Sequence, residues 1–157
     1  MKKLFYIVTF LAFVSIQGSY AQDSIKTQPS QLLTSYYNIK DALVNDNAVA
    51  AASNAQEFIQ TINGINKENL PEASRNTLLK NAGQISETKD IKRQRENFAN
   101  LSANMFALAK DVKLTTEPMY QQYCPMKKSS WLSPNKVIKN PYFGKSMLTC
   151  GKVAATL

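Results

Sequence analysis

The chain has 157 residues, a formal net charge of +8 and two cysteines, and it contains no histidine. Without an imidazole, His-dependent triads and His general bases are excluded, and two cysteines alone cannot close a four-ligand structural zinc site. What remains after an N-terminal leader is enough chain for one domain with its own core.

The first 21 residues read as a secretory signal peptide. Lys2 and Lys3 supply the positive region, Leu4 to Ile16 the short apolar stretch, and Ser19-Tyr20-Ala21 the small residues before a cut that leaves Gln22 first. The apolar stretch, interrupted by Thr9 and Ser15, is shorter than the roughly 20 residues of a comfortable span, so no stable membrane insertion is expected after cleavage. Losing Lys2 and Lys3 leaves 17 basic residues against 11 acids, a net +6. Residues 22–29 are polar and read as a flexible leader, and 30–157 as a single domain.

Four amphipathic helical patterns follow, which predict a mainly α fold, an up-down four-helix bundle. The first spans Ser30 to Leu43, with Leu33, Tyr36, Ile39 and Leu43 at helical spacing. Asn47 is the expected cap of the second, which puts Val49, Ala52, Ala55, Ile59 and Ile62 on one face and ends at Gly64. Pro71 suits the first turn of a third, buried through Leu78, Leu79, Ala82 and Ile85. From Asp90 to Val112, residues Ile91, Phe98, Leu101, Met105, Leu108 and Val112 step by seven, three, four, three and four, the seam of a bundle helix. Met105 belongs to that seam and reads as core.

The character changes at Thr115. Four of the six prolines fall in residues 115–157, with Tyr120, Tyr123, Trp131, Tyr142 and Phe143 among them. This density of proline forbids a long helix. An irregular Cys/Met segment packed on the bundle is expected, with two short strands near Met119–Cys124 and Ser146–Val153. Lys127-Lys128 and Ser129-Ser130 read as a solvated turn, and Asn140-Pro141-Tyr142-Phe143-Gly144 as a second turn. From Pro118 onward there are six lysines and no acid. With no nucleic-acid motif beside it, that patch reads as a solvated basic face, and no nucleic-acid partner is expected.

Each cysteine has a methionine nearby: Cys124-Pro125-Met126 and Met147-Leu148-Thr149-Cys150. Two thiolates and two thioethers are soft ligands that select Cu(I) or Ag(I) over hard cations, and the neighbouring lysines are expected to favour the thiolate. Trp131 is a candidate cation–π neighbour of a bound monovalent ion, although anchoring the loop on the bundle is its commoner use. The competing reading is a Cys124–Cys150 disulfide that staples the tail to the bundle, worth about 3–4 kcal/mol by chain entropy. Spacing alone favours the disulfide. The close CxxC of redox enzymes is absent, and no enzymatic activity is expected.

The segments Tyr123-Cys124-Pro125-Met126, Trp131-Leu132-Ser133, Asn140-Pro141-Tyr142-Phe143-Gly144, Met147-Leu148 and Cys150-Gly151 resemble an uncharacterised Gram-negative periplasmic domain family. So do Tyr36-Tyr37 with Lys40-Asp41-Ala42-Leu43, and Asp90-Ile91 with Gln94-Arg95, Phe98 and Leu101-Ser102. Members of that family occur alone or fused to adaptor subunits of Cus-type copper/silver efflux pumps. The resemblance implies a periplasmic location, a copper/silver efflux adaptor as partner, and metal handling through Cys124, Met126, Met147 and Cys150. It moves the reading from the disulfide to a Cu(I)/Ag(I) chaperone, buffer or efflux accessory. The 127–130 stretch departs from the family pattern in being shorter and more basic.

Overall fold

The computed structural model describes residues 29–157; the signal-peptide reading of 1–21 and all of the leader reading except Pro29 lie outside the described residues. Four helices come first: α1 Pro29–Val44, α2 Ala48–Gly64, α3 Glu72–Ser86 and α4 Ile91–Asp111. A three-stranded antiparallel sheet follows, with β1 Tyr120–Cys124, β2 Ser129–Ser133 and β3 Lys152–Thr156 in the order β2-β1-β3. None of the described helices is long and apolar enough to cross a membrane.

The helix ends follow from local chemistry. Asp46 closes α1 in the left-handed region at φ 58°, letting Asn47 N–H reach the Ala42 carbonyl. Asn47 then caps α2 as expected, its side-chain oxygen accepting from Ala50 N–H at 2.9 Å. Gly64 is the last residue of α2. There, the guanidinium of Arg75 donates to the carbonyls of Ile62 and Ile65, satisfying acceptors that a helix end leaves open. Pro71 stands one position before α3, at its cap, and its carbonyl accepts from Arg75 N–H. Asp90 caps α4 by accepting from Lys92 and Arg93 N–H.

Consecutive helices pack on one another around a common core. Phe98, Leu101, Met105 and Leu108 of the expected α4 seam are buried, while Ile91 and Val112 close its ends half-buried. The expected face of α2 is corrected. Ala51, Ala55, Phe58 and Ile62 point inward, and Val49 is 62 % exposed. The run of alanines from Ala50 to Ala52 tolerates either phase, so the bulky Phe58 sets the helix rotation. Helix α1 begins at Pro29, one residue into the expected leader.

The strands also differ from expectation. β2 occupies Ser129–Ser133, where a solvated turn was expected at its first two residues. The turn itself is Pro125–Lys128, closed by Lys128 at φ 54°. The expected Ser146–Val153 strand begins instead inside a short 3-10 helix, Gly144–Met147, and pairing starts only at Lys152. Gly144 has φ +55° and lies so close to the Asp46 carboxylate and the Arg95 guanidinium that any Cβ would collide with both. The tail needs that approach because Arg95 is its anchor. Arg95 donates to the Pro141 carbonyl at 2.9 Å, the Leu43 carbonyl at 2.9 Å and Asp46 Oδ1 at 2.5 Å. The hydrogen bond from Arg95 holds the Asp46 carboxyl below the usual carboxylate range.

Candidate metal centre

The sheet topology explains why residues 26 apart in sequence meet. β1 ends at Cys124, and Tyr123 pairs with Lys152, the first residue of β3. Cys150, two residues before Lys152, is therefore delivered to the Cys124 end of the same strand pair. The two sulfurs stand 3.8 Å apart. Cys124 is fully buried and Cys150 half-buried. Sulfurs sharing one tetrahedral ion at about 2.3 Å are spaced about 3.8 Å, whereas bridged sulfurs stand about 2.0 Å apart. Both are free thiols at this distance.

The hairpin turn completes the immediate surroundings. Lys127 N–H donates to Cys124 Sγ at 3.5 Å. That backbone dipole points at the place where negative charge forms when Cys124 is deprotonated. Partial burial pushes the Cys150 thiol up, the bond with Cys124 adds to the rise, and Met126 N–H tempers it. The expectation that lysines would favour the Cys150 thiolate is corrected: desolvation and the second sulfur outweigh solvated ammonium groups.

Of the four expected ligands, the two cysteines are brought together. Met126 and Met147 flank the pair in sequence and are 66 % and 36 % exposed. Among the described residues no cluster of three His, Cys, Asp or Glu side chains is placed to hold a metal. Trp131 is 1 % exposed and packs edge-on against Tyr142, with ring centroids 5.8 Å apart. It is therefore an anchor in the tail core.

Two residues fix Cys150 in place: Asn140, expected only as part of a turn, and Gly151, to which the residue pattern assigned no role. Asn140 is fully buried. Its Nδ2 donates to the Cys150 carbonyl at 2.6 Å, and its Oδ1 accepts from Tyr142 N–H at 2.8 Å. Gly151 follows Cys150 at φ +155°, and an added Cβ would meet Trp131 Cη2 at 2.9 Å and the Tyr123 carbonyl at 3.1 Å. Its backbone lies where only glycine is at ease. Gly151→Ala is expected to cost about 1–3 kcal/mol in a urea melt. A loss below the error of that measurement would mean the Cys150 approach does not depend on this contact.

The tail is tied to the bundle by aromatic rings. Tyr36 stacks on Phe98 with centroids 5.3 Å apart, Phe98 meets Tyr142 at 6.0 Å, and Tyr142 meets Trp131. The Tyr36 hydroxyl lies 2.7 Å from Ser102 Oγ and accepts from Leu132 N–H of β2. The Tyr142 hydroxyl donates to the Ser130 carbonyl at 2.5 Å. Burial raises both phenols well above their ordinary range and keeps them neutral.

A family described as a protein of unknown function, DUF3347, matches residues 32–117, more than half of the chain. The chain belongs to this family. No curated protein matches it, and no solved structure does. The DUF3347 match runs from α1 through α4 and stops before β1, so the membership attaches to the bundle, and both cysteines lie beyond the matched residues.

Proposed function

We propose that this DUF3347 protein binds a soft monovalent ion, Cu(I) or Ag(I), and serves without catalysis as a chaperone, buffer or efflux accessory. The setting we infer is the periplasm of a Gram-negative cell, reached through the signal peptide, with a copper/silver efflux adaptor subunit as partner. The observation that carries the reading is the 3.8 Å separation of Cys124 and Cys150, with Cys124 Sγ met by the Lys127 N–H of the adjoining turn. Both thiols lose a proton as the ion is captured, and soft sulfur discriminates against hard cations. Met126 and Met147, close to the cysteines in sequence and open to solvent, supply thioethers as exchange ligands that receive or pass on the ion.

Capture through a thiol with a raised pKa fixes the sign of the pH dependence. Binding requires the thiolate, so acid opposes it. Apparent Cu(I) affinity is expected to rise about tenfold per pH unit for each proton displaced, until the thiols are ionised. Competition titrations against a pH-independent Cu(I) chelator check this; a flat profile from pH 5 to 8 would rule out thiolate capture.

The second reading is a disulfide-stapled interaction module, favoured by the ease with which two adjacent thiols close to about 2.0 Å. A native mass spectrum separates the two. The protein is exported to its natural compartment in copper-supplemented cells and purified without reductant. A full-mass chain carrying one copper is the expected result. A chain two hydrogens lighter and without metal would hand the conclusion to the staple.

A further inference from the structure

The strand beside the thiol pair is under-used by its own fold. Among the described residues β3 is an edge of the sheet and pairs only with β1. None of its five side chains is buried, although all but Lys152 and Thr156 are apolar. Val153 of the strand, and Met126, Met147 and Leu148 beyond it, are among the few large apolar residues left open to solvent among the described residues. All four lie within three residues of a cysteine. An apolar rim of this kind around an open strand edge marks an interaction site more often than an accident of composition.

Charge says what fits there. Lys127, Lys128 and Lys152 flank the same end of the sheet, and no acid occurs from Pro118 onward. Neither ion pair among the described residues involves a tail lysine. A second copy would bring its own lysines against these, and a lipid surface would leave the directional edge groups of β3 unmatched. An extended acidic strand satisfies both features, because its backbone continues the ladder and its carboxylates meet the lysines.

We propose that the free edge of β3 and the apolar rim of the Cys124–Cys150 pair form a docking surface for an acidic, extended segment of a partner protein, added as a fourth strand. The register shows how to block it. Met119 and Leu157 exchange both backbone hydrogen bonds, so Tyr120 and Thr156 are a non-bonded pair and Thr156 N–H points to the open edge. Thr156→Pro removes that outward donor while sparing the bonds to β1.

The probe is a synthetic eight-residue peptide of alternating glutamate and valine, with its lysine–valine counterpart as control. It is titrated into the metal-free, reduced protein and followed by amide chemical shifts. The experiment thus stands apart from the metal reading, and either can fail alone. Shifts are expected in 151–157 and 126–128, saturating with the acidic peptide and weakening with salt. Thr156→Pro, and separately Lys127→Glu/Lys128→Glu/Lys152→Glu, are expected to weaken binding about tenfold or more, with helix signals unchanged. The charge variant leaves the backbone alone and decides the matter if the proline variant unfolds. Equal binding of both peptides, shifts confined to the helices, self-association through β3, or binding to anionic vesicles in place of the peptide would each overturn the proposal.

Discussion

The Cys124→Ser/Cys150→Ser protein is expected to lose Cu(I) affinity by well over the roughly 100-fold that removing one outer-shell partner costs at a metal site. Its far-UV circular dichroism should match that of the parent. The four helices contain no cysteine, and their core is formed by residues such as Tyr36, Phe58, Phe98 and Leu101. A serine hydroxyl at position 124 keeps a partner in Lys127 N–H, so the buried site is not left with an orphaned polar atom. Changing Met126 to leucine is a useful contrast. With a side chain 66 % exposed it contributes little to holding the ion at equilibrium, and its removal should slow exchange with a chelator more than it weakens affinity. Parent-like Cu(I) affinity in the double serine protein would end the thiol-pair hypothesis.

Tyr36→Ala is expected to be the most damaging single change to the fold. Emptying a fully buried aromatic position in a packed core costs about 3–5 kcal/mol. It also removes the hydroxyl that meets Ser102 and Leu132 N–H, and an unsatisfied buried donor adds about 1–3 kcal/mol. Against the 5–15 kcal/mol typical of a whole domain, the sum threatens folding at room temperature. Tyr36→Phe keeps the ring and loses only the hydroxyl, so its deficit should fall in the range of the second contribution alone. Urea melts of both proteins give the two numbers. A Tyr36→Ala deficit under 1 kcal/mol would show that the stack on Phe98 does not hold tail and bundle together.

The sequence was most readable where apolar spacing is coarse and repeated. In α4 the step from Phe98 to Leu108 leaves one helical phase, and the Asn47 cap announces α2 by its chemistry. Legibility failed where small residues blur the phase, as in Ala50–Ala52, and where a strand carries polar ends, as in Ser129–Ser133. Only two large apolar residues, Trp131 and Leu132, mark β2, too few to show a period of two. The pairing of the cysteines was legible as a possibility but not as geometry. It depends on Asn140, Gly144, Gly151 and Arg95, whose roles arise from contacts across the fold, such as Arg95 with Asp46 49 positions away. A polar residue that is buried because it is bonded leaves no hydropathy trace, and Asn140 is of that kind.

Trp131 is the chain's sole tryptophan, sealed against Tyr142 and the Gly151 backbone where β2 of the tail lies on α4. Its fluorescence therefore speaks for the tail and circular dichroism for the bundle. Indole emission shifts to the red only when the tail peels away and water reaches the ring. One cuvette can thus distinguish a protein whose tail has come loose from one that has melted outright, with no label attached.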